Sequence, residues 1–153
     1  MLENAVNHST DNLALYVHWP FCLSKCPYCD FNSHVRDSID QSLWRSALLQ
    51  ELQTEINENP KRRITSVFFG GGTPSLMAPG TVSDILDYAF KYWKVDRNVE
   101  VTLEANTTSL ETGDLKDFNH AGVNRLSLGI QSLNDGALKF LGRKHTAREA
   151  LSA

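Results

Sequence analysis

The feature that most constrains the fold of this chain is the regular alternation of strand-like and helix-like segments. Short apolar runs bounded by turn residues predict β-strands over Leu13–Trp19, Ile64–Phe69, Val99–Leu103 and Asn124–Ile130. Apolar residues at helical spacing predict helices over Ile39–Glu58, Pro79–Trp93, Glu111–Ala121 and Asp135–Leu141, with another starting near Thr146. This order indicates an α/β fold whose parallel strands are joined by right-handed helical crossovers.

The same pattern predicts the domain organisation. Residues 1–12 are polar and are predicted to form a disordered tail, and residues 13–153 are predicted to form the N-terminal part of a larger domain. The sequence stops at 151–153, inside the last predicted helix, and the four strands are too few to close a barrel. The pattern therefore indicates either an open α/β sheet or a partial (β/α) barrel, truncated after about four β/α units.

Composition limits the classes of function. The 153 residues carry a net charge of −3 and are 41% hydrophobic, which is typical of a soluble domain and gives no basic excess for nucleic acid. No apolar run approaches the roughly 20 residues of a membrane span, and the first residues lack the pattern of a secretory signal. Three cysteines crowded into eight residues disfavour a disulfide framework, so a reducing, cytoplasmic location is expected.

The three cysteines follow the first predicted strand in the loop Cys22-Leu-Ser-Lys-Cys26-Pro-Tyr-Cys29. Three thiolates on one short loop can bind three irons of a cubic iron–sulfur cluster and leave the fourth iron open to a ligand. Two other interpretations remain at this point. The thiols can be unligated, or they can bind zinc with His18 or His34 as the fourth ligand.

Other residues with chemical potential also follow predicted strands. Gly70-Gly-Gly-Thr-Pro74 comes after the second strand and lets the backbone approach a ligand, although it lacks the Lys-Ser/Thr ending of a phosphate loop. Glu104 and Gln131 end the third and fourth strands, and Glu104 is able to accept hydrogen bonds from ribose hydroxyls. The carboxyl ends of parallel strands share one edge, so these residues are predicted to lie near the cysteines. Arg143, taken alone, is typical of a surface charge.

The cysteine loop with Tyr28, followed by Phe69-Gly-Gly-Gly-Thr-Pro74, resembles the radical S-adenosylmethionine superfamily. Two longer strings, Leu15-Tyr-Val-His-Trp-Pro-Phe-Cys22 through Cys29-Asp-Phe-Asn-Ser33 and Gly122-Val-Asn-Arg-Leu-Ser-Leu-Gly-Ile-Gln-Ser132, are similar to one branch of it. That branch contains oxygen-independent coproporphyrinogen III oxidase and a related haem chaperone. The resemblance runs from about Leu13 to the end of the chain.

The resemblance implies a set of ligands. Cys22, Cys26 and Cys29 would bind a [4Fe-4S] cluster, and the contacts to S-adenosylmethionine would come from Tyr16, Tyr28, Gly71, Gly72, Thr73, Glu104, Gln131 and Arg143. The last three match positions that bind the cofactor, or a second copy of it in the oxidase. The superfamily uses one electron from the cluster to cleave S-adenosylmethionine into methionine and a 5′-deoxyadenosyl radical.

Within the branch, the resemblance to the chaperone is preferred. The oxidase has a further cysteine two positions after its third cluster ligand, where this chain has Phe31, and it has a long N-terminal extension where this chain has a short tail before Tyr16. The implied cargo is haem, and the implied partners are haem-accepting proteins, membrane-associated targets among them, and an electron donor such as a flavodoxin or ferredoxin. The alternative function is oxidative decarboxylation of coproporphyrinogen III. In either case, the remaining barrel strands and a C-terminal domain are expected outside this sequence.

Overall fold

The computed structural model describes residues 11–107 and 112–153. Its strands, in chain order, are β1 (Asn12–Trp19), β2 (Phe21–Cys22), β3 (His34–Val35), β4 (Arg63–Gly71), β5 (Lys94–Ala105) and β6 (Arg125–Leu128). Its helices are α1 (Gln41–Glu58), a 3-10 turn at Pro74–Leu76, α2 (Pro79–Tyr92), α3 (Thr112–His120), α4 (Asp135–Phe140) and α5 (Ala147–Ser152). The predicted alternation of strands and helices is confirmed.

The main sheet has the strand order β1-β4-β5-β6, and every neighbouring pair is parallel. The register aligns the carboxyl ends of the strands, since Trp19 pairs with Gly71 and Ala105 pairs with Leu128. The segments that follow these strands therefore meet at one edge of the sheet. The predicted α/β class with parallel strands is confirmed.

The core forms between the sheet and the amphipathic faces of α1 and α2. Trp19, Ile64, Phe69 and Leu103 are fully buried. The apolar face predicted for the second helix is confirmed, because its residues belong to this core or, in the case of Phe90, pack against it: Val82, Ile85, Leu86, Ala89, Phe90 and Trp93. Burial of Val82, Ile85 and Leu86, at about 1.5–3 kcal/mol each, stabilises the packing of the helix on the sheet.

The apolar stripe predicted for α1 is partly wrong. Leu43 and Ala47 are exposed, whereas Trp44 packs against the rings of Trp19 and Phe21. The helix begins after Asp40, whose carboxylate accepts the Leu43 N–H and caps the first turn. The large indole ring thus covers the end of β1 in place of the smaller side chains.

The predicted strand at Val99–Leu103 is the second half of a 12-residue strand, β5. Its first half contains Lys94, Asp96 and Arg97, so it lacks the apolar run that indicates a strand. It nevertheless pairs with β4 through Lys94 and Val95 before the register shifts. The fourth strand is shorter than predicted, since Gly129 and Ile130 lie beyond its end.

Two predictions touch residues that lie outside the described part of the chain. Of the polar tail predicted for residues 1–12, only residues 11 and 12 lie within the described part. Asn12 is the first residue of β1, one residue before the predicted start of that strand, and the Asp11 backbone carbonyl accepts the Arg63 N–H and extends the ladder. Glu111, the predicted start of the third helix, is also outside. Among the described helices, none has the length and apolar character needed to cross a membrane.

Candidate functional site

A cavity of about 250 Å³ lies at the carboxyl ends of the four main strands. The predicted site residues that line it are Cys22, Cys26, Cys29, Tyr28, Gly71, Gly72, Thr73, Glu104, Gln131 and Arg143. Tyr16 lies outside this lining, with its ring against Gly70. The sequence therefore predicted a set of side chains that the fold brings together, with Tyr16 beside them.

The cysteine loop is closed at its base by a two-residue parallel ladder. Phe21 pairs with His34 and Cys22 pairs with Val35, and the His34 N–H donates to the Pro20 carbonyl at 2.7 Å. Inside the loop, the Cys29 N–H donates to the Cys26 carbonyl at 3.0 Å and forms a tight turn. All three thiols are free and partly exposed, so the loop presents three sulfur ligands to one cavity.

The glycine segment forms the opposite wall and is bonded to the root of the cysteine loop. The Gly72 N–H donates to the Trp19 carbonyl and the Thr73 N–H donates to the Phe21 carbonyl, both at 2.7 Å. A Cβ on Gly72 would lie 2.5 Å from the Phe21 carbonyl oxygen. Gly71 has φ = 116°, a conformation that side chains disfavour. Glycine is thus required here by close backbone contact.

Glu104 lies on β5 beside this wall. Its Oε2 accepts the Gly71 N–H at 3.3 Å, which orients the carboxylate toward the cavity. Burial raises the pKa of the Tyr16 phenol, and the nearby negative charge of Glu104 raises it further. A carboxylate and a phenol thus lie together at the edge of the cavity, where both are able to bind hydroxyl or amino groups.

Arg143 is brought to the cavity by the end of α4. Gly142 has φ = 68°, and the Arg143 N–H donates to the Leu138 carbonyl at 2.9 Å, which is the Schellman pattern of a helix end. The guanidinium group then donates through Nη2 to Asn106 Oδ1 at 2.8 Å and to the Gly129 carbonyl, and through Nη1 to Cys26 Sγ at 3.4 Å. Arg143 is therefore a partly buried site residue, and its interpretation as a surface charge is wrong.

Gln131 is held in a strained turn three residues after the end of β6. Its φ is 71°, and the Ser132 N–H donates to the Ile130 carbonyl at 2.9 Å, two residues apart, as in a γ-turn with a left-handed centre. This conformation is rare for a residue other than glycine. Such strain concentrates at functional sites, and here it holds Gln131 in the lining of the cavity.

Sequence reasoning missed Asn106, which joins two parts of the site. Its Oδ1 accepts from Arg143, and its Nδ2 donates to Thr73 Oγ1 at 3.3 Å. A signal was present, because residues two apart near the end of a strand point to the same side, and Asn106 is two residues beyond Glu104. Ending the predicted strand at Glu104 concealed it.

A zinc site made from these residues is not supported. Across residues 11–107 and 112–153, no three His, Cys, Asp or Glu side chains converge closely enough to hold a single metal ion. His18 Nε2 instead hydrogen-bonds the Asn32 carbonyl at 3.0 Å. Ligation of a cubic cluster makes a different demand, since each thiolate binds a separate iron.

The fold and the site together define a class: a partial parallel α/β barrel with a three-cysteine loop after its first strand. The model of the radical SAM superfamily matches residues 16–153, and the chain belongs to that family. A Bos taurus protein named radical S-adenosyl methionine domain-containing protein 1, mitochondrial, is 49% identical to this chain in an alignment that covers 90% of the chain. An alignment over 92% of the chain gives 44% identity with the haem chaperone HemW of Haemophilus influenzae.

Comparison of structures agrees. Coproporphyrinogen III oxidase (HemN) from Escherichia coli, described as a radical SAM enzyme, superposes on 93% of the chain with a TM-score of 0.74 and 25% identity. The chain spans 31% of the bovine relative, 38% of the Haemophilus HemW and 33% of the HemN chain. The predicted partial radical SAM barrel and the relationship to the HemN and HemW branch are confirmed.

The contact between Gly72 and Phe21 yields a prediction about stability. Gly72→Ala forces a Cβ against a backbone carbonyl that already bonds Thr73, so we expect a loss of about 1–3 kcal/mol in the free energy of unfolding. Gly80→Ala is the matched control, because nothing lies within 4 Å of its Cβ position in the first turn of α2. That variant is expected to be as stable as the parent or up to about 1 kcal/mol more stable.

Urea denaturation of the apoprotein measures both variants. Equal unfolding midpoints for Gly72→Ala and Gly80→Ala would show that the wall tolerates a side chain and would contradict the steric interpretation.

Proposed function

We propose that this chain is part of the radical SAM core of a haem chaperone, which binds a [4Fe-4S] cluster and S-adenosylmethionine and delivers haem to other proteins. The observation that carries the proposal is that three thiols, the glycine wall and Glu104 line one cavity. The similarity to HemW proteins, at 44% identity to the Haemophilus relative, supports the choice of cargo. In this proposal the chain acts mainly as a binding protein, and any enzymatic turnover is secondary.

The donor set fits an iron–sulfur cluster. Cys22, Cys26 and Cys29 are free thiols on one short loop, and the Arg143 guanidinium beside Cys26 offsets the charge of a thiolate. Three ligands leave one iron for an exogenous group. When bound, the cluster and S-adenosylmethionine together supply one-electron reductive cleavage of a sulfonium.

The remaining residues fit a nucleoside that carries an amino acid. The N–H groups of Gly71, Gly72 and Thr73 are bonded within the protein, so this segment offers backbone carbonyls to the amino group at the methionine end. Glu104 offers a carboxylate to the ribose hydroxyls, and Tyr16 and Tyr28 offer aromatic faces. Gln131 and Arg143 line the far side of the cavity and complete the proposed contacts. These residues bind and orient the cofactor and exclude water from it.

Loss of one cysteine tests the cluster. Cys29→Ala leaves two thiols, which cannot hold a cubane stably, so we expect near-complete loss of bound iron and sulfide after anaerobic reconstitution of the full-length protein. Ser24→Ala changes the same loop without removing a thiol and is expected to load normally. Metal and sulfide analysis with electron paramagnetic resonance measures both. Zinc in place of iron and sulfide in the parent protein would contradict the proposal.

Glu104 tests the nucleoside site. Glu104→Gln keeps the shape and the acceptor for the Gly71 N–H but removes the charge, so binding of S-adenosylmethionine should weaken by roughly 10- to 100-fold, which corresponds to about 1.5–3 kcal/mol. Glu100→Gln, on the same strand in an exposed ion pair with Arg125, is the matched control and should change affinity little. Calorimetric titration of the reconstituted protein gives both constants. A Glu104→Gln affinity equal to that of the control would rule out this contact.

The choice between haem transfer and porphyrinogen oxidation depends on features beyond the shared cofactor residues. Phe31, where the resemblance to the oxidase calls for a further cysteine, lines the cavity and is 60% exposed. Similarity to HemN supports the oxidase as the alternative function. The expected partners are haem, haem-accepting proteins and a one-electron donor. The expectation of a cytoplasmic location stays a prediction, since the name of the bovine relative describes that protein as mitochondrial.

Haem binding separates the two functions. We expect the full-length reduced protein to bind haem in an anaerobic spectroscopic titration and to transfer it to an apo-haemoprotein. The same preparation, given S-adenosylmethionine, a reductant and coproporphyrinogen III, should release no carbon dioxide. Decarboxylation without haem binding would reverse the assignment in favour of the oxidase.

A further inference from the structure

We propose that Arg143 raises the reduction potential of the cluster by donating an N–H···S hydrogen bond from its guanidinium group to the Cys26 sulfur. The inference rests on the proposed function, which assigns Cys26 as a cluster ligand. Arg143 Nη1 lies 3.4 Å from Cys26 Sγ, within hydrogen-bond distance for sulfur. Arg143 acts through the cysteine and is thus a positioning residue, in addition to any contact it makes with S-adenosylmethionine.

The guanidinium group is held so that Nη1 must face the sulfur. Its Nη2 donates to Asn106 Oδ1 at 2.8 Å and to the Gly129 carbonyl, which lie at the ends of β5 and β6. Asn106 is in turn oriented by its hydrogen bond to Thr73 Oγ1. Because a guanidinium group is planar and rigid, fixing Nη2 on two acceptors also fixes the direction of Nη1.

The backbone on both sides of this contact is also constrained. Arg143 directly follows Gly142, whose left-handed conformation ends α4, and a Cβ on Gly142 would lie 2.9 Å from Cδ of Pro27 in the cysteine loop. The helix end is therefore packed on the residue after Cys26. This packing keeps the guanidinium group beside the sulfur.

The contact with the sulfur is present before any cofactor binds. Nη1 and Nη2 both donate to acceptors of the protein. Arg143 Nε is enclosed and has no hydrogen-bond partner among the described residues.

The direction of the effect follows from charge. Reduction adds an electron to the cluster, and a fixed positive charge with a hydrogen bond to a ligand sulfur stabilises the reduced form. Removing Arg143 should therefore lower the potential. A tenfold fall in the equilibrium constant for one-electron reduction corresponds to about 59 mV, and we expect a shift of at least this size.

The test is a potentiometric titration followed by electron paramagnetic resonance, on the full-length protein reconstituted anaerobically, without S-adenosylmethionine or haem. Arg143→Met removes the charge and the donors and should lower the potential. Arg143→Lys keeps the charge but not the planar fork and should give an intermediate value. Lys144→Met is the matched control: it removes an exposed positive charge one residue away and should leave the potential unchanged.

Each result bears on a specific claim. Failure of the parent protein to form a cluster contradicts the proposed function. A loaded Arg143→Met protein with the parental potential overturns the inference about Arg143, and so does a Lys144→Met protein that shifts as far, because charge alone then explains the effect. If Arg143→Met does not fold or load, Arg143→Lys decides: a potential equal to that of the parent overturns the inference.

Discussion

Close pairing of two backbone segments, Trp19–Phe21 and Gly71–Thr73, is the constraint on which the site depends. The two hydrogen bonds that join them continue the β1–β4 ladder beyond the ends of both strands. The segments lie so close that even a methyl group on Gly72 does not fit. Cys22 follows Phe21 directly, so the position of the first thiol is set by main-chain bonds. The Gly71 N–H, on the same segment, orients Glu104 from the next strand.

Much of this arrangement could be predicted from the sequence because parallel strands share one carboxyl edge. Polar or glycine residues that end apolar runs, such as Glu104 and Gly71, must then meet at that edge. The glycine at position 122 also predicted the end of the third helix. In the structure Gly122 has φ = 108°, and the Val123 N–H donates to the Phe118 carbonyl, as a Schellman motif requires. Local rules were sufficient wherever the deciding interaction lies within a few residues.

Prediction failed where the deciding interaction joins residues far apart in the sequence or involves only two or three residues. The two-residue ladder of β2 and β3 is too short to show any periodicity in the sequence. The first half of β5 is polar, and it pairs with β4 at the amino-terminal end of the strands. Arg143 has no local feature that marks it as part of a site, and only the family resemblance predicted it there. Its role comes from Asn106 and Cys26, which are 37 and 117 residues away in sequence. Such contacts exist only after the strands have assembled.

The residues proposed to bind a cluster and a nucleoside cannot by themselves decide between a chaperone and an oxidase, because either function would need them. Discrimination must come from groups on the open side of the cavity, where a cargo or a substrate would lie. Phe31 is such a group, since it lines the cavity while most of its ring remains exposed. An aromatic side chain offers a flat apolar surface that suits a macrocycle, but it has no group that carries a proton or an electron. At this position the chain therefore offers an apolar ring and lacks the thiol chemistry that a cysteine would add.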